Sequence, residues 1–269
     1  MNRFVPDGRP VVTQVMIEAG LRDLGLGPGD IVIAHSALRS FGWVEGGEDA
    51  VIDALLAVVG PTGTLCMPAL SYGDYGPDNP PPPFDPLTTP GIVGRIPERF
   101  RRRPGVQRSL HPTHSIAAIG ARAEEILREH ELSPTPCGPD SPWGRIARSG
   151  GSILMLGVGT QPCTMFHGAE EEAEPDARCT PPTPCRLVTE EGKRTVWLRL
   201  HGPYTGVLEN RAAMEPVLEA AGLLRRTKVE NCALLRIDAR GLWELSLRWL
   251  RARPGMALER RPPRASAEP

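Results

Sequence analysis

The stretch between residues 31 and 67 reads IVIAHSALRSFGWVEGGEDAVIDALLAVVGPTGTLCM, and it decides the fold. Ile31–Ala34 is a short apolar run typical of a buried strand, and it opens into a loop that contains three glycines. Glu48–Val59 has apolar residues at helical spacing, and Thr64–Met67 is a second short apolar run. A strand, a helix and a second strand in this order form a βαβ unit, which predicts a parallel sheet.

The same alternation continues on both sides of this unit. Helices are predicted at Thr13–Leu24, Val93–Arg102, Ala123–His130, Thr164–Glu174, Glu209–Ala221 and Gly241–Arg251, strands at Ser115–Ile119, Ser152–Leu156 and Cys232–Ile237, and a hairpin from Arg186–Val188 and Thr195–Leu200. Leu70–Pro90 and residues 176–186 are long proline-rich loops, of the length that usually forms a lid or a binding loop. We therefore expect an α/β fold, with a single domain over residues 1–253 built on a central, largely parallel sheet flanked by helices, and a frayed tail at 254–269.

The composition is that of an ordinary globular protein. The chain has 269 residues, of which 40% are hydrophobic and 23% charged, and its formal net charge is −1. A charge so close to neutral gives no reason to expect nucleic acid or an anionic membrane as a partner. The start of the sequence lacks the apolar segment of a secretory signal, and no run approaches the roughly 18 apolar residues that span a bilayer. We expect a cytoplasmic protein.

The six cysteines are scattered and form no CxxC pair. Without an export signal, reduced thiols are the expectation. Cys179 and Cys185 lie close enough in the sequence that a disulfide or a metal role for them stays open.

The loop His35–Gly47 is the first of three segments that could carry chemistry. It follows a strand and leads to the N-terminus of a helix, where free N–H groups and the helix dipole favour an anion such as a pyrophosphate. It matches neither the GxGxxG fingerprint nor a P-loop, so a simple connecting turn is the alternative.

The second segment, Arg108–Ser115, concentrates an arginine, two hydroxyls and two imidazoles just before a predicted strand. His111 and His114 have a spacing that a metal could use, but no acidic residue lies nearby. A structural or ligand-positioning role is the alternative that we favour.

The third segment runs from Gly157 to Glu174 and places His167 just after a strand. Ligands of open α/β sheets gather at the carboxyl ends of strands, and Glu170 lies on the same helical face as His167. A histidine beside a carboxylate can deprotonate a nucleophile near neutral pH. A surface histidine beside a solvated acidic face is the plain alternative, and a nucleophilic pair of Cys163 with His167 is another.

Eight different motifs occur along the chain, each once, and their order and spacing are informative together. They are HSALRSFGWVEGG at 35–47, GPTGTLCMPAL at 60–70, FDPLTTP at 84–90, GIVGRIPERFRRRPGVQRSLHPTHSIAAIG at 91–120, GPDSPWGRI at 138–146, ILMLGVG at 153–159, TMFHGAE at 164–170 and GLLRRTKVENC at 222–232. In this combination the chain resembles the aminoglycoside 3-N-acetyltransferase family, which has the antibiotic N-acetyltransferase fold and not the GNAT fold. The resemblance extends over roughly Gln14 to Leu250.

The resemblance implies an enzyme that transfers an acetyl group from acetyl-CoA to the 3-amino group of 2-deoxystreptamine aminoglycosides, without a metal and with antibiotic resistance as the outcome. It implies direct transfer, with His167 as general base and Glu170 as the carboxylate that supports it. Other roles follow by the same analogy. The cofactor would be bound by His35, Ser36, Ala37, Leu38, Arg39, Ser109, His111, Ser115 and Ser141, and the substrate by Asp74, Glu170 and Glu172.

The acceptor half of the site departs from the family pattern more than the donor half does. Residues 77–83 and 179–185 are unusual proline-rich sequences, and Tyr204 and Thr205 stand where relatives often carry an acidic-aromatic pair. The same chemistry on another amine, such as a biosynthetic intermediate, is therefore the main alternative. A CoA-binding module without catalysis and a zinc protein are further ones, and both a monomer and a homodimer are compatible with the sequence.

Overall fold

A computed structural model describes residues 11–202 and 211–252, so the predicted tail at 254–269 and the positions Tyr204 and Thr205 lie outside the described residues. The strands are β1 (Val11–Val12), β2 (Ile31–Ser36), β3 (Trp43–Val44), β4 (Thr64–Pro68), β5 (Gln107–Arg108), β6 (Ile116–Gly120), β7 (Ser152–Leu156), β8 (Thr183–Thr189), β9 (Gly192–Leu198), β10 (Leu224–Val229) and β11 (Cys232–Asp238). The α-helices are α1 (Gln14–Asp23), α2 (Gly47–Val59), α3 (Arg95–Phe100), α4 (Ala123–Leu127), α5 (Pro142–Arg148), α6 (Met165–Ala173), α7 (Pro175–Arg178), α8 (Glu215–Ala220) and α9 (Ala239–Arg251). Short 3-10 helices lie at Leu38–Phe41, His130–Leu132 and Arg211–Met214.

A seven-stranded sheet in the order β10-β11-β7-β2-β4-β6-β5 forms the centre of the fold. Its three middle strands are parallel: Val32 pairs with both Leu65 of β4 and Ser152 of β7. The outer pairs are antiparallel, but only β11 and β6 run against the rest, so five of the seven strands point in one direction. The predicted α/β fold with a central, largely parallel sheet is confirmed.

Apolar residues of the middle strands feed two separate cores, one on each face of the sheet. Along β2, Ile31 and Ile33 pack in the core that contains Trp143 and Phe166, whereas Val32 and Ala34 pack against α1 and α2. Successive side chains of a strand point to opposite faces, so a continuous apolar run is what a sheet covered on both faces requires. Helices α5, α6 and α9 cover the first face, and α1, α2 and α3 cover the other.

The predicted elements agree with the structure at the centre of the sheet and less well around it. Ser152–Leu156 has the predicted bounds, and Thr13 caps α1 by accepting a hydrogen bond from the N–H of Met16. Of the helix predicted at Glu209–Ala221, the first two residues lie outside the described ranges, and within them a 3-10 turn precedes the shorter α8. Strand β10 and helix α5 were not predicted. Among the described helices, none is both long enough and apolar enough to cross a membrane.

Candidate active site

Strands β2 and β7 end side by side, because His35 and Ser36 pair with the last two residues of β7. Two loops leave the sheet at the carboxyl ends of these strands. One enters the 3-10 helix Leu38–Phe41, and the other turns at Gly157 towards α6. The hydroxyl of Ser40 donates to the carbonyl oxygen of Gly157 at 2.7 Å and ties the loops together. Gly157 has φ +70°, and a Cβ there would lie only 2.4 Å from the Cβ of Ser40. Glycine is therefore needed at this turn.

His167 and Glu170 form the central pair of the site. Both lie on α6, and Nδ1 of His167 is 2.9 Å from Oε2 of Glu170. The side chain of Glu170 is only 4% exposed, whereas that of His167 keeps 22% of its surface open. A buried carboxylate beside this mostly buried imidazole favours the tautomer that carries hydrogen on Nδ1, which leaves the lone pair on Nε2.

The surroundings of His167 oppose its protonation. Burial and then the charges of His201, Arg211, His114 and Arg178 hold the pKa of His167 well below 6.5. The imidazole is therefore neutral at pH 7, which is the form that a general base requires.

Arg211 lies against the same imidazole. Its Nη2 is 3.1 Å from Nδ1 and 3.2 Å from Nε2 of His167, and 3.9 Å from the carboxylate of Glu170. The guanidinium also donates to the carbonyl oxygen of Cys163 at 3.1 Å and stacks over the ring of Phe166. A cation with N–H donors thus occupies the space next to the lone pair of His167.

A second histidine–carboxylate pair lies beside the first. Nδ1 of His201 is 3.0 Å from Oε1 of Glu171, and the ring centroids of His201 and His167 are 3.9 Å apart. The backbone brings His201 here, because it pairs with Cys179 just after α7. Sequence reasoning missed His201 and Arg211, and the only signal was weak: His201 directly follows a predicted strand.

The ligand atoms of His167, Glu170 and His201 lie within 4.8 Å of one another, a spacing that could hold a metal ion. The guanidinium of Arg211 contacts two of these three side chains, His167 and Glu170, so a protein cation already lies beside them. We therefore assign no metal role to this cluster.

Two of the residues expected to bind the cofactor have unused polar atoms. Within the residues described, Nε2 of His35 and Oγ of Ser36 are buried and lack a hydrogen-bond partner. Burial, followed by the charge of Arg211, lowers the pKa of His35 to about 4. Buried polar atoms are rarely left unpaired, so this pair is where a ligand would supply the missing bonds. Ala37 and Leu38 are half-buried and Arg39 is exposed along the same loop.

The other residues expected at the cofactor are buried and already bonded to the protein. Ser109 contacts Nδ1 of His130 at 2.9 Å, and Ser115 donates to the carbonyl oxygen of Ala69 at 2.8 Å. Ser141 donates to the carbonyl oxygen of Gly138 at 2.7 Å and caps α5.

His111 is also hydrogen-bonded within the protein. Its Nδ1 accepts hydrogen bonds from the N–H groups of Thr113 and His114, at 3.3 Å and 3.0 Å, and so shapes the turn before β6. His114 lies next to His167 and His201, with its ring centroid 6.3 Å and 5.6 Å from theirs.

The carboxylates expected to bind the substrate lie in three different environments. Glu170 is beside His167, and Asp74 is exposed in the long loop after β4. Glu172 turns away from this pair: its Oε2 accepts from the indole N–H of Trp243 at 2.7 Å, and its Oε1 lies 3.5 Å from Arg251. The structure therefore brings Glu170 to His167 and directs Glu172 towards α9.

All six cysteines, which lie in the described ranges, are free and buried, so Cys179 and Cys185 form no disulfide. Burial raises the pKa of the Cys163 thiol to about 11. This thiol is protonated at neutral pH, which disfavours a Cys163 nucleophile.

Comparison with known proteins gives a consistent result over most of the chain. The family model for aminoglycoside 3-N-acetyltransferase matches residues 33–251. The aminoglycoside N(3)-acetyltransferase VIII of Streptomyces fradiae is 33% identical over 278 residues, which cover 91% of this chain and 94% of that protein. A solved structure of AAC-IIIb in binary complex with CoASH superposes with a TM-score of 0.81 at 28% identity, covering 93% of this chain and all (100%) of that one. AAC-VIa bound to sisomicin superposes with a TM-score of 0.76 at 29% identity, covering 91% of this chain and 99% of that one. The chain therefore belongs to the aminoglycoside 3-N-acetyltransferase family.

Proposed function

We propose that this protein transfers the acetyl group of acetyl-CoA directly to the 3-amino group of a 2-deoxystreptamine aminoglycoside, with His167 as general base. The 2.9 Å contact between His167 and Glu170, at the edge where β2 and β7 end, carries the proposal. Family membership supports acetyl-CoA as the donor, and the related structures with CoASH and sisomicin support the two substrate classes.

The reaction needs one proton to leave the acceptor before a bond forms. An aminoglycoside ammonium loses this proton to Nε2 of His167, and the free amine then attacks the thioester carbonyl carbon. The carbon–sulfur bond breaks, and the nitrogen gives its second proton to the leaving thiolate, so that the products are the amide, the free thiol of coenzyme A and one proton held by His167. Glu170 stabilises the imidazolium that forms on His167, since an adjacent carboxylate favours the charged ring.

His35 and Ser36 are the best-supported donor-side residues. Their unpartnered buried atoms, at the start of the loop that leads to α2, support a role in holding the cofactor. On the acceptor side, Asp74 and Glu170 are the carboxylates that would attract a cationic substrate. Arg211 lies 3.2 Å from Nε2 of His167, so the acceptor amine would have to displace this guanidinium to reach the base.

One observation favours the alternative acceptor, an amine that is not an aminoglycoside. Arg211 lies in the site, and Glu172 is held by Trp243, so less negative charge faces His167 than a polycation would use. Such an acceptor would carry fewer positive charges and would follow the same proton path.

A thiol-release assay with acetyl-CoA tests both the aminoglycoside acceptor and the alternative amine acceptor. The wild type and His167→Ala are compared on a panel of 2-deoxystreptamine aminoglycosides and on simple mono- and diamines. Turnover of an aminoglycoside that falls at least a hundredfold in His167→Ala is expected. Turnover restricted to the simpler amines would overturn the aminoglycoside assignment, and full activity of His167→Ala would overturn the role of the base.

A further inference from the structure

Glu171 is the most enclosed carboxylate near the site, and its side chain is 0% exposed. Its Oε2 accepts a hydrogen bond from the N–H of Cys137 at 2.6 Å, and its Oε1 contacts Nδ1 of His201 at 3.0 Å. A buried carboxylate is tolerated only where its oxygens are paired. Glu171 therefore fixes the position of the His201 ring.

Backbone hydrogen bonds hold the loop that carries His201 at the residues just before and just after it. The N–H of Thr180 donates to the carbonyl oxygen of Leu200, and the N–H of Gly202 donates to that of Arg178, both at 2.8 Å. The ring itself, at 13% exposure, lies over His167 with an interplanar angle of 52°. Backbone hydrogen bonds and the buried carboxylate of Glu171 thus hold the His201 ring in contact with that of His167.

We propose that Glu171 and His201 form a positioning pair that holds the ring of His167 in place and opposes a positive charge on it. The proposal rests on the proposed function only for the role of His167 as base. The contact between the rings does not depend on that role.

The groups that face His167 have opposite effects on the protonation of its ring. On its own helix, Glu170 favours the imidazolium, while His201, Arg211, His114 and Arg178 oppose it from other segments. After burial, His201 is the largest cause of the lowered pKa of His167. Two imidazoles whose centroids are 3.9 Å apart resist carrying two positive charges.

The test replaces His201 by glutamine, which keeps an N–H donor for Glu171 but removes the imidazole. The pKa of the His167 ring is measured by NMR titration, and the pH profile of kcat/KM is recorded in parallel. We expect His201→Gln to raise the pKa of His167 and the acidic limb of the profile by about one unit. We also expect kcat to fall about tenfold, with little change in the KM for acetyl-CoA, because the ring of His167 is less well oriented.

Cys179→Ser is the matched control. Cys179 pairs with His201 through its backbone, so this variant perturbs the same loop and keeps the imidazole. The His167 titration is expected to remain at its wild-type position in this control. If His201→Gln does not fold, His201→Asn gives the same measurement with a shorter side chain.

A folded His201 variant with an unchanged His167 titration and an unchanged kcat would overturn the proposal. A raised pKa in the variant, together with full activity of His167→Ala, would support the pairing and overturn the role of the base. The two failures are therefore distinguishable.

Discussion

The indole of Trp243 donates a hydrogen bond to the carboxylate of Glu172, 2.7 Å away, and so joins α9 to α6. Glu172→Gln keeps the shape of the side chain but weakens this charge-assisted bond. Because the carboxylate is partly exposed, we expect the free energy of unfolding to fall by about 1 kcal/mol, measured by urea denaturation. The family resemblance predicts instead a substrate role for Glu172. A higher KM for the acceptor, at unchanged stability, would favour that role over the structural one.

Ser141 offers a similar choice between a cofactor contact and a helix cap. Its side chain is fully buried, donates to the carbonyl oxygen of Gly138 and caps the N-terminus of α5. Ser141→Ala is expected to lower the free energy of unfolding by about 1 kcal/mol, the usual effect of losing an N-cap. The KM for acetyl-CoA should stay near that of the wild type. A KM several times higher at equal stability would show that the hydroxyl reaches the cofactor.

The buried histidines make stability depend on pH. Burial lowers the pKa of His35 to about 4 and that of His130 to about 3, and those of His111 and His114 also lie well below 6.5. Well above pH 6.5 these rings are neutral in both the folded and the unfolded chain. As the pH falls from 6.5 towards 4, only the unfolded chain takes up protons, so the free energy of unfolding decreases by at most about 1.4 kcal/mol per pH unit for each ring.

Urea denaturation at several pH values between 6.5 and 4 measures this slope. His130→Gln removes one of the rings and should make the slope shallower by the share of one histidine. A free energy of unfolding that stays constant over this pH range would contradict the prediction.

Replacing Cys163 distinguishes direct transfer from an acyl-enzyme mechanism. Burial raises the pKa of its thiol to about 11, and no step of direct transfer uses the sulfur. Cys163→Ala is therefore expected to keep kcat within about twofold of the wild type while losing some stability from the small cavity. Mass spectrometry after mixing with acetyl-CoA provides the second measurement. An acetylated wild-type chain that disappears in Cys163→Ala would contradict direct transfer.

The centre of the sheet was predictable because its signals are local. The apolar runs at Ile31–Ala34 and Ser152–Leu156 each follow a glycine-containing turn and lie between helical patterns, which is what strands covered on both faces require. Strand β10 was missed because its sequence, LRRTKV, is mostly polar and its position at the edge of the sheet leaves several side chains exposed. Its conformation is set by pairing with β11, which is a tertiary effect.

The candidate site was predictable only in part, for the same reason. His167 and Glu170 are three residues apart on one helix, so their contact follows from helical geometry. His201 and Arg211 reach His167 from segments 34 and 44 residues further along the chain. No periodicity in a single sequence encodes such contacts. The buried state of Ser109, Ser115 and Ser141 likewise depends on packing that the motifs alone do not reveal.

The bond between Ser40 and Gly157 has a consequence for catalysis. One of these loops leads from His35 and Ser36, the proposed cofactor contacts, and the other leads into the helix that carries His167. The hydroxyl bond and the absence of a side chain at Gly157 hold the two loops in contact. The distance between the proposed cofactor contacts and His167 is thus set by the scaffold. Under the proposed mechanism, docking of the cofactor would place the thioester relative to the base before the acceptor arrives.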